Sequence, residues 1–197
     1  MEPQWKLIGA LALCMGLAAC GGGGEDSPDP VPTTPPPATG TPAPGASTQL
    51  TSANTCGIAD YQQSMLEQIN AARATARLCG TRSFSAAPPL AWNDLLFAAA
   101  AGHAEDMAVN NYFSHDALNG RTFSQRISDA GYNWSAAGEN LAAGQAGISQ
   151  VITAWLDSPG HCENLMSTSF TEVGVACVRN DAARYGQYWA MSLGRPR

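Results

Sequence analysis

Residues 21–55 open with four consecutive glycines, pass through Glu25 and Asp26, and then hold eight of the chain's thirteen prolines. A segment of that composition buries too little apolar surface to offset its conformational entropy, so it builds no core of its own. Folding is thereby confined to residues 56–197, which suffice for one domain with one sizeable core. In polyproline-like conformation, at about 3.1 Å per residue, the Gly/Pro-rich segment reaches on the order of 100 Å as a tether.

What precedes the tether fixes the compartment. Lys6 is followed by an apolar run from Leu7 to Ala19, long enough for the core of a secretory signal but short of the roughly 20 apolar residues that span a bilayer. The run ends in Leu17-Ala18-Ala19-Cys20, which resembles a bacterial lipobox, whose cysteine is lipidated and becomes the new first residue. The chain is thus expected to divide into a lipoprotein signal (1–19), a lipid-anchored tether (20–55) and a folded domain (56–197). The expected location is the cell envelope or the extracellular side, with the outer membrane favoured because Gly21, not Asp, follows the cysteine.

After signal removal nine Arg and no Lys stand against fifteen acidic residues. Without a basic stripe to neutralise phosphates, nucleic acid is excluded as a partner class. Four cysteines remain in the domain, Cys56, Cys79, Cys162 and Cys177, and an even count in an oxidising compartment implies two disulfides. The pairing that closes the shortest loops is Cys56 with Cys79 and Cys162 with Cys177. These cysteines lack the close pairs of a zinc site.

Periodicity predicts helices early and strands late. Asp60 and Gln63 read as a capping box opening a helix in which Tyr61, Met65, Ile69 and Ala72 recur to about Arg77. A long alanine-rich helix is expected over Trp92–Asn111, with Leu96, Ala99, Ala100, His103 and Met107 on one face. There His103 reads as a core histidine. Shorter helices fit Phe123–Ala130, stopped by Gly131, and Ile148–Trp155. Thr171–Val178 and Gln187–Leu193 read as two antiparallel strands.

Three breaks between these segments carry the polar residues of interest: Tyr112-Phe113-Ser114-His115, Gly138-Glu139-Asn140-Leu141 and Ser158-Pro159-Gly160-His161-Cys162-Glu163-Asn164. Breaks of this kind let side chains converge on one cleft. Two neutral imidazoles and a carboxylate are a ligand set for Zn²⁺ or another divalent cation; they equally make an acid–base group or a hydrogen-bonded scaffold. Glu139, following Gly138, could alternatively cap backbone N–H groups. There is no His-Glu-x-x-His and no Gly-x-Ser-x-Gly. Ser114 beside His115 is a poor nucleophile–base pair, and oxidation would remove Cys162 as a thiol nucleophile.

These motifs, in the order His103-Ala104-Glu105-Asp106-Met107, Tyr112-Phe113-Ser114-His115, Gly131-Tyr132, Gly138-Glu139-Asn140, Trp155, Ser158-Pro159-Gly160-His161, Val173-Gly174-Val175 and Tyr188-Trp189, resemble the bacterial, extracellular branch of the CAP superfamily. That superfamily comprises cysteine-rich secretory proteins, antigen 5 and pathogenesis-related 1 proteins. The resemblance implies an α+β fold, a three-layer α-β-α sandwich with a central antiparallel sheet, and a cleft formed by His115, Glu139 and His161, with Asn140 beside them. His115 and His161 would be the metal ligands. It also implies a binding or interaction module, with a lipid, a sterol or an envelope protein as partner, or alternatively a metal-dependent hydrolase using His115, Glu139 and His161. One departure is visible: a second glutamate expected soon after Trp155 is absent, and Asp157 stands nearest to its place.

If Cys20 carries the anchor, Cys20→Ala moves the protein from the membrane to the soluble fraction on cell fractionation. Equal membrane retention of the variant would exclude the anchor.

Overall fold

The computed structural model describes residues 49–197. The signal segment, Cys20 and the tether up to residue 48 lie outside the described residues. In chain order the elements are α1 (Tyr61–Arg73), β1 (Arg77–Cys79), β2 (Arg82–Phe84), β3 (Ala91–Trp92), α2 (Asp94–Val109), α3 (Phe123–Asp129), β4 (Trp134–Ala143), α4 (Ile148–Asp157), α5 (Pro159–Met166), β5 (Glu172–Asn180) and β6 (Gly186–Pro196).

The three long strands pair antiparallel, and the short β3 joins β5 in parallel, giving the order β3-β5-β6-β4 with β4 at an edge. Because side chains alternate across a pleat, the register sorts residues into two layers. Val173, Val175 and Cys177 of β5 and Trp189, Met191 and Leu193 of β6 pack with α1, α4 and α5. Ala176, Tyr188 and Ala190 face α2. The α+β three-layer sandwich is therefore as expected, with a sheet that is antiparallel apart from β3.

The α2 face of the sheet is made of small residues, and this lets the helix come close. A Cβ on Gly174 would stand 2.0 Å from the Phe97 backbone nitrogen, so only glycine fits there. The matching helix is apolar nearly all round, with every residue from Leu96 to Ala101 buried, as a helix between two packed surfaces must be. Its start is capped by Asn93, whose side chain accepts from the Leu95 and Leu96 N–H groups.

Several expectations are corrected. The capping box at α1 does not form: Asp60 is left-handed (φ 48°) and its side chain caps nothing, because an N-cap needs extended backbone to aim its oxygen at the first turn. The helix ends at Arg73, whose buried guanidinium donates to the carbonyls of Pro88 and Ser167, and Arg77 already belongs to a hairpin. A fifth helix, α5, follows Pro159, and β4 was not anticipated as a strand. Packing also begins ahead of Cys56: Leu50 contacts both main cores and Thr55 bridges to Cys177.

Both disulfides form, with the pairing exchanged. Cys56 joins Cys177, tying the segment before α1 to β5, and Cys79 joins Cys162, tying the β1–β2 hairpin to α5. Short loops were the wrong criterion, since the sheet and hairpin bring together cysteines 121 and 83 residues apart. Closing so long a loop restrains the unfolded chain strongly. Removing the Cys56–Cys177 bridge as C56A/C177A is expected to cost about 3–5 kcal/mol in chemical denaturation, and a non-reducing peptide map should yield the 56–177 and 79–162 linkages.

Candidate functional site

Strand β4 carries the site, and its pleat sends neighbouring residues to opposite layers. Leu141 packs on the α2 side and Ala142 on the α1/α4 side, so Glu139 faces α2 and α3 while Asn140 faces α5. Because β4 is an edge strand, part of its backbone has no strand partner. The Glu139 carbonyl accepts from Asn164 Nδ2 at 3.2 Å and the Leu141 carbonyl from Trp155 Nε1 at 3.0 Å, so helices α4 and α5 cover that edge.

On the first face Glu139 is buried, with its side chain 2% exposed, and both carboxylate oxygens are engaged. Oε1 accepts from His115 Nδ1 at 2.7 Å and Oε2 from Arg126 Nη2 at 2.6 Å. Arg126, itself buried on α3, also donates to the carbonyls of His115 and Arg121, both at 2.9 Å. Glu139 therefore does not cap backbone N–H groups. His115 reaches outward from the loop after α2, and its side chain is 55% exposed. His103 on α2 braces that loop, its Nε2–H donating to the Ser114 carbonyl at 2.9 Å from a buried position, in accord with its reading as a core histidine.

On the second face Asn140 Nδ2 donates to the His161 carbonyl at 3.0 Å, and Asn164 Nδ2 to Asn140 Oδ1 at 2.9 Å. The half-buried His161 lies in the first turn of α5 next to Cys162, which the Cys79 bridge fixes. His115 and His161 thus lie on the two faces of β4, the His115 ring held to Glu139 and the His161 backbone to Asn140.

The imidazoles are tuned apart. The hydrogen bond to Glu139 is the main cause that holds His115 above the usual histidine value, partly opposed by desolvation. Burial pushes His161 below that value, and the neighbouring His115 adds to the effect. His103 is lowered chiefly by burial.

This geometry limits the chemistry. Each Glu139 oxygen already accepts one hydrogen bond and the carboxylate is 2% exposed, so the part of this pair that meets solvent is the His115 ring. The Ser114 hydroxyl accepts from the Asp116 N–H, and Cys162 is in a disulfide, so neither is a nucleophile paired with a histidine. Asp157 is exposed at the end of α4, and Glu163 pairs with Arg82. Among the described residues no group of three or more His, Cys, Asp or Glu side chains is gathered to hold a metal ion. Of the ligands expected for Zn²⁺ or another divalent cation, the Glu139 carboxylate is already held by Arg126 and His115. A groove of about 550 Å³ lies at the start of α1, lined by Leu50, Ile58, Tyr61 and Leu66 among others, and does not include the histidines.

Arg126 does not stand out in the sequence, and Asn164 stands there only as the last residue of the Ser158–Asn164 run. Arg126 is one polar residue on a short helix, and no spacing distinguishes it from a solvent-facing side chain.

A family model described as the cysteine-rich secretory protein family, CAP, matches residues 66–193. The uncharacterized protein YkwD of Bacillus subtilis (strain 168) is 29% identical over 146 residues, covering 74% of this chain and 51% of that protein. The uncharacterized membrane protein YlbC of the same organism is 33% identical over 90 residues, 46% of this chain and 26% of that protein. The chain therefore spans about half or less of the length of these relatives. Among solved structures, an outer surface protein from Borrelia burgdorferi is similar with a TM-score of 0.51 and 26% identity, covering 56% of this chain and 80% of that one.

The opposed histidine shifts give a checkable pH dependence. The stability His115 contributes is present in full below its ordinary value of about 6.5 and is lost as pH rises through its raised folded value. For His161 and His103 the sign reverses, and stability is lost as pH falls below about 6.5. An NMR titration should place the His115 midpoint above 6.5 and that of His161 below it. Glu139→Gln should lower the His115 midpoint, and His115→Ala should raise that of His161. Coincident midpoints in the unaltered protein would contradict the arrangement.

Proposed function

Because the chain belongs to the cysteine-rich secretory protein (CAP) family, whose model covers residues 66–193, we propose that it is a binding module of the cell envelope or its surroundings, with His115 and His161 at the β4 edge as its polar contact. One observation carries this reading: both oxygens of the Glu139 carboxylate are already bound, by Arg126 and by His115. The glutamate is thus a device for orienting an imidazole. A hydrolase in which Glu139 itself activates a metal-bound water would need that carboxylate to face the water, whereas it is 2% exposed and turned to Arg126 and His115.

The envelope setting draws on independent supports. Two disulfides within the domain belong to an oxidising compartment. The similar Borrelia burgdorferi structure is of an outer surface protein. The lipobox-like Ala18-Ala19-Cys20, followed by a Gly/Pro-rich stretch, suits a domain held away from a membrane by a lipid anchor, with the outer membrane favoured. The partner classes consistent with such a place are a lipid, a sterol or an envelope protein.

The test sets binding against turnover. Purified mature protein is offered a panel of chromogenic esters and peptides, with and without Zn²⁺, and in parallel is sedimented with isolated envelopes and with phospholipid or sterol-containing vesicles. The expected outcome is no turnover above buffer, together with co-sedimentation that H115A/H161A weakens about tenfold, corresponding to about 1.4 kcal/mol. Turnover that disappears in a folded His161→Ala variant would replace this reading with the hydrolase.

A further inference from the structure

The described surface and interior hold several features that the site leaves unused. Beyond the groove at α1, Phe113 and Tyr185 form an exposed aromatic pair, and Arg73 is buried without a carboxylate partner. The arrangement that carries furthest is the buried guanidinium behind His115.

We propose that Arg126 is the positioning residue of this site, holding His115 in the tautomer whose Nδ1 bears the proton and whose Nε2 presents a lone pair outward. This rests on the reading of His115 as a contact residue. It adds the chemical class of what that contact takes: a group that donates a hydrogen bond, such as a hydroxyl or an amide N–H.

Three bonds from one planar group are the basis. Arg126 holds Glu139 Oε2 at 2.6 Å and the His115 backbone carbonyl at 2.9 Å through the same nitrogen, and the Arg121 carbonyl at 2.9 Å through the other. It therefore fixes both the carboxylate that receives the imidazole proton and the backbone from which that imidazole hangs. An ionised carboxylate only accepts. With Glu139 ionised beside the guanidinium, the atom of His115 that meets Oε1 must be a donor, and Nδ1 is that atom. The other ring nitrogen is left unprotonated in the neutral ring, on a side chain that is 55% exposed. Without Arg126 the Glu139 Oε2 and the His115 carbonyl lose their common donor, so the carboxylate and the ring it meets are no longer held in line.

The tautomer can be read without any ligand, by long-range ¹H–¹⁵N correlation of the histidine ring nitrogens at a pH well above the histidine range. The unaltered protein should show His115 chiefly with the proton on Nδ1. Arg126→Gln should lose that form, and Arg126→Lys, which keeps the charge, should retain it. Glu139→Gln gives a second, independent readout. Arg126 claims the amide oxygen, the amide N–H₂ is left facing His115, and Nδ1 must accept, so the proton moves to Nε2. The His103 and His161 patterns should stay as they are in each folded variant, which a general loosening of the fold would not allow. A folded Arg126→Gln with His115 still protonated on Nδ1 would overturn the proposal. If that variant does not fold, Glu139→Gln decides, and Nδ1 protonation retained there overturns it equally. Failure of co-sedimentation in the preceding test would leave this tautomer result untouched, so the two readings fail separately.

Discussion

The pleat of one edge strand organises this site. Glu139 and Asn140 are adjacent in β4, and strand geometry sends one to each helical layer. A helical Gly-Glu-Asn segment would have set the two side chains about 100° apart on one surface. Here they act on different elements: Glu139 on the loop after α2 and on α3, Asn140 on α5. The two histidines belong to those separate layers, His115 tied to Glu139 and the His161 backbone to Asn140. Were another strand paired at that edge, Trp155 and Asn164 could not reach the β4 carbonyls they now satisfy, and α5 could not lie alongside.

The two buried arginines show how differently one residue type is used. Arg73 bonds carbonyls of the segments before β3 and after α5, and so staples loops to α1 with no countercharge among its hydrogen-bond partners. Arg126 faces a carboxylate across 2.6 Å. Burying an ion pair costs desolvation on both sides, and the attraction offsets that cost only where the remaining donors and acceptors are also met. Around Arg126 they are met by two carbonyls, and around Glu139 by His115. A buried ion pair is weak evidence of added stability, but it restricts the orientation of whatever it touches. What it touches at this site is an exposed imidazole.

Much of the fold was legible in the sequence where a pattern has a physical period. The stripe on α1, the apolar α2, the glycine at residue 131 (φ 92°) ending α3, and the antiparallel β5–β6 pair all follow from spacing and turn chemistry. Strand β4 did not show, since Trp134–Ala143 is alanine-rich and its run from Gly138 to Ala142 is buried on both faces, which erases the alternation that marks a half-exposed strand. Disulfide partners were hidden for a related reason: they are set by tertiary register, Thr55 lying against Cys177 and the β1–β2 hairpin against α5, and no local signal encodes that. His115 and His161 stood out because each follows a break; Glu139 stood out on the same expectation, although Gly138 lies inside β4 and interrupts nothing. Arg126 did not, because its role depends on a carboxylate 13 residues away that only the folded sheet turns toward it.

The two imidazoles are held by unlike means, and the difference bears on what such a site is suited to do. His115 is fixed through its ring, by a carboxylate that is itself fixed by a guanidinium. His161 is fixed through its backbone: Asn140 holds its carbonyl, and the next residue is bonded covalently to the β1–β2 hairpin. Among the described residues no hydrogen bond holds the His161 ring, whereas its carbonyl is held by Asn140. A general acid–base pair needs both rings aligned on one reacting atom. His115 is held through its ring and His161 through its backbone, which suits the contact surface proposed above better than that alignment.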